Sequence, residues 1–398
     1  MSLSEQNLPE FRLPADWQGI SELFPVQKES IWLNYCGTTP ISSFASSVMA
    51  DYFDEYSRYG IFAPRYSEPK IKVILRNYLA EILSCSPDSI GLVHNTSEGM
   101  NLYSHSISLP KGTRILVIEN EYPSNVYPWE HWKEKGVGLG FVSVGDTPDE
   151  FLRNLEDEAK KGDVSLLSLS PVHWCTGMPL DLKKISSICE KYSIKLILDG
   201  SQAVGHIPVP LNEVKVEFAA FAAWKWLLGP LGLGVIYLSP EVPKDFRILF
   251  KGQASVKNDG SYFPYRDEWK PPADQFEQST SNFNDWIYFF ASLRMLSTIG
   301  FTKTRERIYE VSNLMSDMLR GLGFRLDRDV FPDVKTGIIA VNGFQSGKEF
   351  NPEAIQAFLR SKNIYAAVRL GRLRLAPHIP VTESHISRLE SVLKEYLK

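Results

Sequence analysis

Between residues 90 and 240, short apolar runs alternate with amphipathic stretches: Ile90–His94, Arg114–Ile118, Gly140–Val144, Ser165–Leu169, Lys195–Leu198 and Glu217–Ala220. A run of this length that is apolar on both alternating faces is not a half-exposed strand. It belongs in a sheet covered on both sides, and the intervening helices supply the cover. The pattern therefore predicts an α/β chain with a mostly parallel central sheet. Two helices are expected upstream, over Ser42 to Tyr59 and Tyr66 to Leu83. Ile71, Ile74, Leu75, Tyr78, Leu79, Ile82 and Leu83 mark one face of the second. Residues 251 to 282 break the alternation with Gly, Pro, Asp, Asn and Ser and read as a long functional loop or insertion. Helical periodicity returns from Phe283 to Leu322. Strands at Thr336–Val341, Ile364–Val368 and Leu373–Leu375 then mix with helices near 352–361 and 382–397.

A length of 398 residues carries a prior of two or three domains. The expected division is a lead-in over 1–30, a large domain over 31–290 and a smaller α+β domain over 291–398. Pro9, Pro14 and Pro25 interrupt the lead-in, which is expected to pack on the small domain. A charged fraction of 23% and an apolar fraction of 43% exclude a disordered or collagen-like chain. The formal charge of −4 lacks the basic excess of a nucleic-acid binder. Cys36, Cys85, Cys175 and Cys189 form no CxxC pair, which argues against a disulfide scaffold or zinc ribbon; no metal ligand set is expected, and a reducing compartment is. The longest apolar run near the middle, Phe218 to Trp224, is seven residues, whereas a membrane-spanning helix needs about 20. With a polar, proline-dotted beginning and no secretory apolar segment, the expectation is a soluble cytoplasmic chain with neither membrane nor nucleic-acid partner.

Four features carry chemistry. The run Lys195–Leu198 leads into Asp199-Gly200-Ser201-Gln202, and ligands of open parallel sheets sit at the carboxyl ends of strands. An aspartate there can serve a ligand or simply cap the next helix. Lys225 stands between Trp224 and Trp226 after an apolar approach. Desolvation lowers a lysine pKa and makes the amine a nucleophile towards carbonyls, the plain alternative being a surface lysine. The glycines from Gly229 to Gly234 lack the strand–GxGxxG–helix order of a dinucleotide fingerprint. After the run Ile90–His94, Asn95-Thr96-Ser97-Glu98-Gly99 opens a helix, where hydroxyls and free N–H groups suit a phosphate or merely a cap. Tyr122 follows the strand ending at Ile118, at the same rim. A phosphate cup, a stacking ring, a strand-end acid and a desolvated lysine are together what pyridoxal 5'-phosphate requires: the lysine as Schiff-base partner, the acid to keep the pyridine nitrogen protonated.

These segments resemble the fold-type-I pyridoxal-phosphate enzymes of the class V aminotransferase group, which includes cysteine desulfurases, kynureninase and isopenicillin N epimerase-like proteins. The similarity runs from Leu33 to about Leu393. Leu33-Asn34-Tyr35-Cys36-Gly37-Thr38-Thr39-Pro40 is similar to the group's "LDNAATTP", which borders the substrate entrance. Asp199-Gly200-Ser201-Gln202-Ala203-Val204-Gly205 resembles "DGAQAVG", and Lys225-Trp226-Leu227-Leu228-Gly229-Pro230 resembles "KWLLGP". The resemblance implies that Lys225 carries the cofactor and Asp199 meets the pyridine nitrogen. It further implies that Gln202 meets the phenolic oxygen, Tyr122 stacks on the ring, and Thr96 and Ser97 hold the phosphate. Arg374-Leu375-Ala376-Pro377-His378 resembles "RxSPH", whose arginine grips the substrate α-carboxylate with its planar fork of donors. Arg372 lies on the same face of that strand, so either arginine fits. Tyr35 is expected at the substrate entrance. Thr280 matches a threonine that reaches the phosphate of the neighbouring subunit, which implies a homodimer.

The departures are as informative. Many members have Ser and His just before the lysine; here Ala222 and Trp224 stand there. Where desulfurases often have asparagine, this chain reads Val172-His173-Trp174-Cys175-Thr176-Gly177. Trp174 is expected to pack near the cofactor, and His173 either to serve as an acid/base beside the substrate or to hydrogen-bond in the core. Residues 343 to 373 contain no cysteine, which disfavours desulfurase chemistry. An amino acid or amine substrate is expected, with transamination, epimerisation and C–S lysis all open. A cofactor-binding sensor or scaffold of the same fold is the alternative.

Overall fold

The computed structural model describes residues 7–242, 246–258, 260–332 and 335–398. After a two-residue strand β1 (Ile31–Trp32), seven strands build one sheet: β2 (Ile90–Val93), β3 (Arg114–Ile118), β4 (Gly138–Val142), β5 (Val164–Leu169), β6 (Lys195–Asp199), β7 (Phe218–Ala222) and β8 (Gly234–Leu238). Their order is β2-β8-β7-β6-β5-β3-β4. Strands β4, β3, β5, β6 and β7 are mutually parallel, and β8 runs antiparallel between β7 and β2. Every residue of β2, β7 and β8 is buried, as a sheet covered on both faces demands. Edge strand β4 begins two residues before its expected start, with glycines at 138 and 140, and is largely uncovered. The alternation did not anticipate β8. It is apolar on both faces like its neighbours, but the turn before it is rich in glycine, and periodicity carries no information about direction.

Strand β8 fits only because it starts with glycine. A Cβ on Gly234 would lie 2.8 Å from backbone atoms of Asn95, the residue that caps the helix Thr96–Ser106. The cap is therefore held directly over the end of the sheet.

The small unit has strands β9 (Phe324–Leu326), β10 (Ile339–Phe344), β11 (Ile364–Tyr365), β12 (Ala367–Arg369) and β13 (Arg372–Leu375). Antiparallel β12-β13-β10-β9 form one sheet, and β11 pairs in parallel with β1. That pairing draws the segment after residue 30 across both units. The lead-in is not wholly irregular: Trp17–Glu22 and Val26–Glu29 are short helices, the first capped by Asp16, the second begun at Pro25, where a proline costs no hydrogen bond. Phe11, Ile20 and Phe24 pack in the core of the small unit with Phe324, Val341 and Leu373. Each such full burial contributes roughly 1.5–3 kcal/mol.

The expected boundary at residue 290 falls inside the helix Phe283–Ile299. From Trp286 to Leu296 every residue of that helix but the half-buried Tyr288 is buried, so most of its circumference is covered. Its first part packs in the large core through Trp286, Ile287, Phe289 and Phe290, its last part in the small core through Met295, Leu296 and Ile299. It is a shared beam. Gly300, at φ 96°, ends it before the helix Phe301–Gly321, so the single periodic stretch is two helices. The insertion is tied down where it rejoins: Asp274 and Glu277 pair with Arg76 of the helix Glu68–Leu83 at 2.5 and 3.0 Å, and Lys72 joins both acids.

Candidate active site

The carboxyl ends of β2, β3, β5, β6 and β7 lie at one edge of the large sheet, and the segments leaving them line a cavity of about 610 Å³. Its walls carry Thr96, Ser97, Tyr122, Trp174, Asp199, Gln202, Lys225 and Arg374. Eight residues separated by up to 278 positions are thus gathered at one point.

Asp199 ends β6 and is buried; its carboxylate accepts from Ser201 N at 2.9 Å. Burial raises its pKa, and the nearby Lys225 opposes that shift. Lys225 shows the reverse: burial lowers its pKa while Asp199 raises it. Each group makes the other's charge tolerable in a place where neither would ionise alone. The lysine backbone is clamped. Thr39 Oγ1 donates to Lys225 O at 2.8 Å, and Leu228 N donates to the same oxygen at 3.1 Å with Leu228 in the left-handed region (φ 57°). Lys225 Nζ lies 5.6 Å from the centroid of the Tyr122 ring.

Beneath the lysine, Trp226 is sandwiched between His206, at 4.0 Å and 13°, and His378, at 5.9 Å and 27°. Its Nε1 donates to Gln202 Oε1 at 3.1 Å, and Gln202 Nε2 donates to Cys36 O at 2.9 Å. Gln202 thus has one N–H left for anything in the cavity. Burial pushes the imidazoles of His206 and His378 down to about 4 and about 3, so both are neutral packing groups at pH 7.

The phosphate-like corner is built on the helix Thr96–Ser106, capped by Asn95, whose Oδ1 accepts from Glu98 N at 2.9 Å. The first N–H groups of a helix lack intrahelical acceptors and favour an anion. Thr96 Oγ1 shares a hydrogen bond with Ser201 Oγ at 3.0 Å, and Ser97 Oγ donates to Ser124 Oγ at 2.7 Å. Ser201 and Ser124 also line the cavity. They are hydroxyls absent from the expected set, which compensate for Ala222 and Trp224 before the lysine.

Arg374 is buried. Its Nη1 donates to Trp174 O at 2.6 Å and its Nη2 to Asn34 Oδ1 at 3.4 Å, while Nε, itself shielded from solvent, has no partner among the described residues. Arg372 does not face this cavity; it pairs with Asp327 at 2.5 Å and lines a separate cavity of about 150 Å³. Of the two arginines, the site contains Arg374.

Three expected residues stand outside. Tyr35 is fully buried in the small core, accepting from Gln27 Nε2 at 3.0 Å and packing on His378. Its neighbours Asn34 and Cys36 line the cavity instead, on a turn in which Gly37 N and Thr38 N donate to the Asn34 carbonyl at 2.9 and 3.1 Å. His173 lines the smaller cavity. Its Nδ1 accepts from Thr176 N at 3.1 Å, and burial lowers its pKa to about 4, so it is a neutral core histidine. Thr280 is exposed and lines no part of this chain's own cavity. Reading residues singly also missed Glu121. Its buried carboxylate accepts from Tyr122 N, Asn125 Nδ2, Ser170 N and Ser170 Oγ at 2.7–3.1 Å, locking the backbone that carries Tyr122 to the end of β5.

A strand-end acid paired electrostatically with a desolvated lysine, beside a hydroxyl-rich helix N-terminus, defines an enzyme built to hold an anionic, nitrogen-bearing aromatic cofactor through a lysine. The donor set fits pyridoxal phosphate: hydroxyls and N–H groups for phosphate, a carboxylate for the ring nitrogen, a primary amine for the aldehyde. The chain matches the model of the family described as "Aminotransferase class-V" over residues 31–381 and belongs to that family. It is accordingly a pyridoxal-phosphate-dependent enzyme. It is 27% identical over 285 residues, 71% of this chain and 70% of the relative, to a probable cysteine desulfurase of Methanothermobacter thermautotrophicus. The apo structure of a cysteine desulfurase from Thermococcus onnurineus NA1 superposes with a TM-score of 0.83 at 20% identity, covering 97% of this chain and 98% of that one. A structure of the cystine C–S lyase C-DES with its product cysteine persulfide gives 0.82 at 19% identity, covering 93% and 98%. These likenesses show the fold.

Proposed function

We propose that this enzyme acts on the α-carbon of an amino acid, with Lys225 as cofactor anchor and proton carrier and Arg374 as the grip on the α-carboxylate. The observation that carries the reading is the placement of Lys225, Asp199 and Arg374 on one cavity. When bound, pyridoxal phosphate supplies an electron sink that acidifies the substrate Cα–H. The chain's own groups do the rest. Asp199 would keep a proton on the ring nitrogen, and Thr96, Ser97, Ser124 and Ser201 would hold the phosphate. Tyr122, whose backbone is fixed by Glu121, would offer its ring to the cofactor's. Lys225, its pKa lowered by burial, is placed to accept the α-proton and return it.

Among the chemistries open to such a site, C–S lysis has the support of the cystine C–S lyase neighbour. With no cysteine in residues 343–373, sulfur released from a substrate would leave as a small molecule rather than on a protein thiol. The homodimer reading is supported by Thr280, exposed and unused in its own cavity, and by the exposed apolar group Phe53, Tyr56, Tyr59, Ile61 and Phe62. The four free cysteines support a cytoplasmic location. No helix among the described residues is long and apolar enough to cross a membrane.

The test is spectroscopic. Wild type incubated with pyridoxal phosphate and desalted is expected to keep a visible absorption band that changes on addition of an amino acid substrate, while Lys225→Ala keeps none. A folded wild-type protein without a band overturns the assignment. A band that no amino acid perturbs favours the sensor alternative.

A further inference from the structure

The hairpin β12–β13 places three arginines on one face. Ala367 pairs with Arg374 and Arg369 with Arg372, and residues paired directly or two apart share a face. Their surroundings differ. Arg374 is buried against Trp174 and Asn34, and Arg372 is neutralised by Asp327. Arg369 is exposed and lines the main cavity. Its side chain donates only to the carbonyl of its own neighbour Val368, at 2.7 Å, and it forms no ion pair among the described residues.

Arg369 is nonetheless fixed in place. The turn that follows uses Leu370 and Gly371 at φ 47° and 70°, two consecutive left-handed residues that make a tight hairpin. The carbonyl of Arg369 accepts from Cys175 Sγ at 3.3 Å, tying the strand end to the segment that carries Trp174. Lys225, Arg369 and Arg374 line the cavity, and among the described residues Asp199 is its single carboxylate, so Arg369 has no other protein carboxylate there to meet. Diagonal neighbours on a hairpin stand about 7–8 Å apart, so the side chains of Arg369 and Arg374 start far enough apart for a short carbon chain to lie between them. The edge of that space is aromatic, with Trp174 and Tyr122 packed edge to face at 5.6 Å.

We propose that the site selects amino acids bearing a second anionic group on the side chain, Arg374 taking the α-carboxylate and Arg369 the distal anion. The inference rests on the cofactor reading for which group is the α-carboxylate, but its test does not. Binding of glutarate, with two carboxylates, and of butyrate, with one, is followed by tryptophan fluorescence of the holoenzyme. Glutarate is expected to bind at least tenfold more tightly than butyrate. The advantage should shrink as salt rises, since Arg369 is exposed. In Arg369→Gln the advantage is expected to vanish while butyrate affinity stays within twofold, and Arg369→Lys should restore part of it. Equal binding of the two acids by wild type, or equal losses for both in Arg369→Gln, overturns the proposal. Retention of the visible cofactor band in Arg369→Gln separates this failure from failure of the cofactor assignment. With turnover, glutamate and 2-aminoadipate are expected to perturb that band at lower concentration than norvaline, and the reverse order counts against the proposal.

Discussion

The two walls of the cavity are built on opposite principles. The wall formed by the large sheet is braced from within, with only one Gln202 N–H and the N–H groups opening the helix Thr96–Ser106 left for a cofactor: Trp226 lies between two neutral histidines, Gln202 bridges Cys36 and Trp226, and the Lys225 carbonyl accepts two hydrogen bonds. The wall contributed by the small sheet is less committed: exposed Arg369 forms no ion pair among the described residues and its side chain donates only to the Val368 carbonyl. A rigid, saturated wall suits a cofactor that stays. Open donors suit a substrate that comes and goes, because its binding then supplies hydrogen bonds the empty site lacks. Substitutions on the first wall are therefore expected to cost stability and cofactor retention, and those on the second to cost substrate affinity with the fold intact.

The largest effect is expected on the open wall. Arg374→Ala removes the buried partner of a substrate carboxylate, a loss of about 2–5 kcal/mol, and should lower kcat/KM by roughly 30-fold to several thousandfold. The visible band and melting temperature should change little. A large fall in melting temperature would show that Arg374 belongs to the saturated wall after all.

On the saturated wall, Gly234→Ala forces a Cβ against the Asn95 backbone. Overpacking of this kind costs about 1–3 kcal/mol, and here it should displace the cap that positions Thr96 and Ser97. Lower thermal stability together with weaker cofactor retention, measured by dialysis, is the expected pair. Weakened retention with unchanged stability would place the strain elsewhere.

The smallest effect is a pH dependence. His173, His206 and His378 have folded pKa values depressed by burial to about 4, about 4 and about 3, against an ordinary value of 6.5. Their neutral forms are favoured in the fold. Their contribution is thus full above pH 6.5 and is lost as pH falls from there towards 4. Chemical denaturation between pH 7 and 4.5 should show falling stability, and His206→Gln should flatten the slope. An unchanged slope would remove the buried imidazole from the account.

Much of this division was legible in the sequence. Asp199 and Lys225 announced themselves because each breaks an apolar stretch at the end of a strand, and a charge in such a place needs a reason. The features that escaped depend on direction or on distant pairing. Composition does not tell Tyr35 from Asn34 and Cys36; the turn over residues 35–37, closed on the Asn34 carbonyl, decides which side chains face the cavity. His173 and Trp174 are adjacent, yet a bridge between Val172 and Pro179 turns one to each cavity. Arg369, Arg372 and Arg374 alternate regularly, but only the folded hairpin and Asp327 assign them three different tasks. Gly234 was read within a glycine-rich turn, whereas its constraint comes from Asn95, 139 positions earlier.

The central claim is that the cofactor is carried by Lys225 in this cavity. Borohydride reduction of the holoenzyme, followed by proteolysis and mass spectrometry, tests it most directly. The account predicts that the pyridoxyl-phosphate mass lies on the peptide containing Lys225, at one per chain. The same mass on another lysine, or none on a protein that shows the visible band, would contradict it.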